Sequence, residues 1–137
     1  MHYRAILYHK QSTSARLRFL HFAYHSVCAF APLPSLAQVH PGRGERLVMH
    51  PAQVLWQLQR DYGFAKGDLR IEEGYRFRVE VPCEQIEIFL VAIQTLDPPF
   101  DQAEAIGARF IDLTQARSLP AVELELLRAA YEWVMEG

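Results

Sequence analysis

The chain contains no asparagine, two lysines and two cysteines among its 137 residues. Without asparagine it has neither an N-glycosylation acceptor nor an Asn-Gly hairpin turn. Twelve arginines stand against the two lysines. Asn and Lys have A/T-rich codons, so genome composition explains the bias more simply than selection for heat resistance. Cys28 and Cys83 are too few for a disulfide framework and lack zinc-ribbon spacing, so they read as reduced thiols in a cytoplasmic protein. There is no glycine-rich phosphate loop, no H-E-x-x-H, no C-x-x-C and no G-x-S-x-G. Enzyme classes built on those motifs are therefore disfavoured, and no cofactor is expected. The longest apolar stretch in the first part, Phe19–Ala31, falls short of the ~20 residues that cross a bilayer, so no membrane partner is expected.

What the sequence does contain is a step in charge. Residues 1–48 carry a net +5, with five of the six histidines, and residues 49–137 carry a net −7. This divides the chain into a basic, aromatic-rich N-terminal segment (1–48), ending in the linker-like Gln38–Arg46, and an acidic α+β domain (49–137). The acidic part argues against nucleic acid, which needs a cluster of uncompensated basic residues. Arg76 and Arg78 are flanked by Glu72, Glu73 and Glu80 and read as a solvated strand face.

Three readings of the first segment compete. Basic residues, an apolar stretch and Ser35-Leu36-Ala37 outline an export signal ending near Ala37, although His21, His25 and Ser26 interrupt it. A second reading makes the segment an upstream extension of a unit that begins near Met49. The third, which we favour, is a short strand (Arg4–His9) and a helix (Ser14–Ala31) packed on the rest, because so many aromatics left unpacked would expose a large apolar surface.

From Met49 onward the periodicities are clearer. Pro51 at a first helical position, the Val54–Leu58–Tyr62 stripe and Gly63 predict a helix over 51–62. Leu69–Glu72 forms a short strand. Tyr75, Phe77, Val79 and Val81 alternate with charged residues and predict a half-buried strand. Ile86–Thr95 is almost continuously apolar and reads as a central strand, joined to the previous one through Pro82–Gln85 as an antiparallel hairpin. Asp97-Pro98-Pro99 ends it, and Asp101 is placed to cap a short helix ended by Gly107. Arg109–Leu113 is a further strand. A long C-terminal helix over 119–135 has Leu119, Val122, Leu126, Ala129, Ala130 and Trp133 as its apolar stripe and Glu123 among its solvent-facing residues. The fold class expected is α+β, a small antiparallel sheet of three to four strands with helices packed on it.

Candidate chemistry is sparse. On a helix His21, His25 and Cys28 would share one face and could bind zinc with a fourth ligand from His9 or His40, but three ligands on one helix are an unusual geometry and no second pair is fixed elsewhere; we take the spacing as accidental and expect no metal. Glu72, Glu73, Asp97, Asp101, Glu104 and His50 offer acid–base groups without a fixed pair. The rigid loop after the buried strand is where folds present binding residues, so Asp97, Asp101 and Arg109 are the ligand-binding candidates. Trp56 lies off its helix's stripe and is the candidate contact of a homodimer. The functional expectation is a homodimeric module that binds a protein or small ligand. Its alternative is a small enzyme performing acid–base hydrolysis with scattered carboxylates and His50.

Overall fold

β7 (Glu84–Ile93) is buried on both faces from Ile88 to Ile93, as its unbroken apolar run requires. Its partner is β1 (Tyr3–Lys10), parallel to it in the register Tyr3↔Glu87 to Tyr8↔Ala92. In the computed structural model, which describes residues 2–41, 49–82 and 84–136, these two strands form the centre of one mixed sheet. β2 (Leu17–His21) and β3 (Cys28–Ala29) both pair antiparallel with β1, and β8 (Arg109–Ile111) extends the sheet beyond β2. On the other side β5 (Leu69–Ile71) and β6 (Phe77–Val81) pair antiparallel with β7, and β4 (Gln38–Pro41) adds to β6.

The sheet therefore has eight strands, parallel and antiparallel, with three α-helices among the described residues. That corrects the expected small antiparallel sheet of three to four strands; the α+β character stands. The hairpin of β6 and β7 is present as expected, and Cys83 in its turn lies outside the described residues. Residues 42–46 of the expected linker also lie outside them, whereas Gln38–Pro41 is strand rather than linker.

Alternation along the strands sends side chains to two cores. Ile6, Tyr8, Ile88 and Leu90 meet α3 (Ala121–Glu136) on one face. Ala5, Leu7, Phe89 and Val91 meet α1 (Pro51–Tyr62) and α2 (Phe100–Ala105) on the other. α1 matches its expected span, with Gly63 left-handed at φ 76° as its C-cap and the His50 imidazole accepting from the Ala52 amide at its start.

The helix expected over 14–31 is absent. Leu17 and Phe19 go to one core and Leu20 and Phe22 to the other, which is β-strand geometry, and His25 (φ 58°) and Phe30 (φ 90°) sit in the left-handed region that ends regular structure. The shared helical face of His21, His25 and Cys28 disappears with it. No helix of the described residues is long and apolar enough to cross a membrane.

α3 carries two corrections. Glu123, expected in solvent, is 1% exposed: its carboxylate accepts from Ser26 Oγ at 2.9 Å and from the Val27 amide at 3.0 Å. It thereby satisfies the chain's turn into β3, while burial pushes its pKa up against those two hydrogen bonds. Trp133, expected in the core, is 39% exposed, and Val134 takes the buried position. The indole lies on Gly74, where an added Cβ would come within 2.1 Å of the ring.

Two outcomes are expected from this architecture. A chain beginning at Met49 lacks β1 to β4 and should show no cooperative urea transition; a single sharp transition would mean that residues 49–137 fold alone. For Glu123 the folded pKa lies above the unfolded value of 4.5, so its contribution to stability is fully present below that pH and declines as pH rises through the folded value. Urea unfolding at pH 4.5, 6 and 7.5 should thus show the parent chain losing ground to Glu123→Gln as pH rises. Glu123→Ala, which strands the buried Val27 amide, should cost about 1–3 kcal/mol.

Candidate active site at the carboxyl end of the parallel pair

Ligands of open α/β sheets gather beyond the carboxyl ends of parallel strands, because the connecting loops diverge there. In this sheet that place is where β1 ends at Lys10 and β7 at Ile93. The two loops are tied together by buried and exposed polar contacts. His9, fully buried, holds its Nε2 2.7 Å from the Thr95 carbonyl. Thr95 Oγ1 donates to the Asp97 carbonyl at 2.7 Å, and Gln11 Nε2 donates to Asp97 Oδ1 at 3.1 Å. Arg18 in turn donates to Gln11 Oε1 at 3.1 Å, with its guanidinium 5.7 Å above the Phe100 ring. Burial and then the neighbouring Arg16 lower the pKa of Arg18.

The three ligand-binding candidates fall around this network without joining one another. Asp97 belongs to it. Asp101 is exposed in the first turn of α2, and the N-cap there is Pro99 with no side-chain cap, so Asp101 does not do the capping expected of it. Arg109 is exposed on β8 opposite His21, whose pKa is lowered by burial and then by this arginine. No ion pair or hydrogen bond links Asp97, Asp101 and Arg109 among the described residues.

Beside the network, a groove of about 590 Å³ opens between the β1–β2 loop, the 3-10 turn Leu113–Ala116 and α3. Arg16, Arg117 and Arg128 line it with a single carboxylate, Asp112. Thr114 Oγ1 donates to Asp112 at 2.6 Å and Arg16 lies 3.5 Å from it. Those contacts, the threonine first, hold the Asp112 carboxyl below its ordinary pKa. Sequence reasoning missed this groove. The Asp112…Gln115 capping box was legible as D-x-x-Q, but which helix face meets which loop is decided only by the packing.

The remaining acid–base candidates are committed to structural contacts or lie apart. Glu72 accepts from Tyr8 Oη at 2.6 Å, from Trp133 Nε1 at 3.3 Å, and pairs with Arg70 at 2.9 Å. Glu73 and Glu104 are exposed. His50 spends Nδ1 on the α1 cap at 3.1 Å. Cys28 is fully buried, its thiol pushed up by burial and then by Glu123, while His21 and His25 stack edge-on at 6.2 Å. No group of three His, Cys, Asp or Glu among the described residues is spaced to hold a metal. Trp56 is 58% exposed on the outer face of α1, with Arg60 4.7 Å over its ring. Contact with a second copy would need such exposure.

No protein-family model and no curated protein matches the sequence. A solved structure does match in fold: the Ap4A hydrolase of C. elegans, over 96% of each chain, with a TM-score of 0.58 and 14% identity. The chain shares that structure's fold. At that identity the likeness speaks for the fold alone and leaves the chemistry to the residues above.

The Glu72 contacts generate a test of their structural role. Glu72→Ala leaves the buried Tyr8 hydroxyl without its acceptor and should cost about 1–3 kcal/mol. Adding Tyr8→Phe removes the stranded hydroxyl, so denaturant unfolding should find the double variant no less stable than Glu72→Ala alone.

Proposed function

We propose that the protein is a hydrolase that works at the carboxyl end of the β1–β7 pair. The observation that supports this reading is the full-length likeness of its fold to a hydrolase. Nothing comparable supports a module that only binds. Asp97 is the proposed general base: it is exposed to substrate and water, and Gln11, itself held by Arg18, orients it. A carboxylate in that role must lie within hydrogen-bond reach of the attacking water, and a fixed orientation contributes to its efficiency. Asp101 and Arg109 are proposed at the margin of the same site, the arginine to neutralise charge developing on the leaving side. His50 is left out of the mechanism, because its cap hydrogen bond occupies the ring nitrogen that would take a proton.

The substrate to try first is the one in the structural neighbour's name, Ap4A. Incubation with the purified chain, followed by chromatographic separation of nucleotides, should show turnover. Asp97→Asn should lower kcat by roughly 10²–10⁴-fold with an unchanged melting temperature. Absence of turnover of Ap4A and of simpler phosphoanhydrides would defeat the hydrolase reading. Full activity in Asp97→Asn would move the base elsewhere.

A further inference from the structure

The arginine-lined groove carries a more specific assignment. Leu124, Arg128, Tyr131 and Met135 follow one another at intervals of four, three and four residues, so α3 presents them as one stripe along the groove. This stripe is distinct from the buried set Glu123, Leu126, Leu127, Ala130 and Val134. Tyr131 and Met135 are 36% and 40% exposed, a flat aromatic surface and a polarizable side chain turned to solvent. Opposite them, Arg16 enters from the β1–β2 loop and Arg117 stands at the end of the 3-10 turn. Arg16 is shared with Asp112, whereas Arg117 and Arg128 form no ion pair with any described residue.

Three guanidinium groups against one carboxylate make this place cationic on a chain whose net charge is −2. A groove of about 590 Å³ lies within the range that encloses a small ligand. Arginines bind phosphate through paired N–H donors and are the side chains suited to it. An aromatic ring beside them offers a stacking surface of the kind that takes a nucleobase. We infer that this groove is a nucleoside-polyphosphate site, with the phosphates along Arg16, Arg117 and Arg128 and the base against Tyr131 and Met135. For the fate of the ligand the inference rests on the hydrolase reading, since the β1–β2 loop that supplies Arg16 also supplies Gln11 to Asp97; the binding itself stands on the groove.

The test is equilibrium binding by calorimetry with three probes: ATP, inorganic tripolyphosphate and adenosine. ATP should bind most tightly and tripolyphosphate more weakly, both with affinity falling as salt rises; adenosine should bind weakest. Arg117→Ala and Arg128→Ala should each weaken ATP and tripolyphosphate by about tenfold or more. Tyr131→Ala should weaken ATP and leave tripolyphosphate unchanged, which separates recognition of the base from attraction to any polyanion. All three residues are exposed, so thermal melting should report intact folds. The inference is overturned if ATP does not bind at millimolar concentration, if the arginine variants bind it as the parent does, or if Tyr131→Ala weakens both ligands equally. ATP binding lost with these arginines but without turnover of any phosphoanhydride would leave the groove standing and remove the hydrolase. Turnover of Ap4A with an unchanged KM in both arginine variants would do the reverse.

Discussion

The parallel pairing of β1 with β7 is the constraint on which everything else depends. Two adjacent strands buried on both faces have no polar face to turn to water, so each face must be covered by other elements. α3 covers one and α1 with α2 the other. Parallel neighbours also cannot be joined by a tight turn. The chain between Lys10 and Glu84 therefore travels out through β2 and β3, across to β4, over α1 and back through β5 and β6 before β7 can pair.

That path leaves a few buried or half-buried polar groups, and each of the following fastens a place where the chain changes direction. Glu123 receives the donors of Ser26 and Val27 at the entry to β3. Glu72 gathers the Tyr8 hydroxyl and the Trp133 indole at the turn after β5. His9 joins the end of β1 to the loop after β7. The cost of burying such groups is met only when their hydrogen bonds are made, so they select one packing of the helices over others of equal apolar burial.

The same geometry brings distant side chains together. The loops after β1 and β7 join Gln11 to Asp97, and α3 meets the β1–β2 loop at a separate groove lined by arginines drawn from three stretches of chain. Charge is thus distributed in space quite differently from its distribution along the chain: the sharp step at Met49 does not survive folding as two charged halves, because Arg16 from the basic segment and Arg117 and Arg128 from the acidic one line one groove.

Local signals determined much of the second part of the chain by themselves. Pro51 and Gly63 bracket α1, and the Tyr75–Val81 alternation and the apolar run after Glu84 mark the β6–β7 hairpin, both through constraints that act within a few residues; β7 itself ends at Ile93, before Pro98-Pro99 is reached. The loop bearing Asp97 was legible for the same reason. The first part was not, because a dense run of Leu, Phe, Tyr and Ala has the composition of a helix or a strand alike, and only its partners choose. Pairing of Tyr3–Tyr8 with Glu87–Ala92 spans some eighty residues and leaves no local trace. Glu123 looked solvent-facing for the same reason: helical spacing reports which residues share a face, not what that face meets. The groove's arginines lie on three elements whose approach depends on that long-range pairing, so their meeting was decided by the tertiary structure alone.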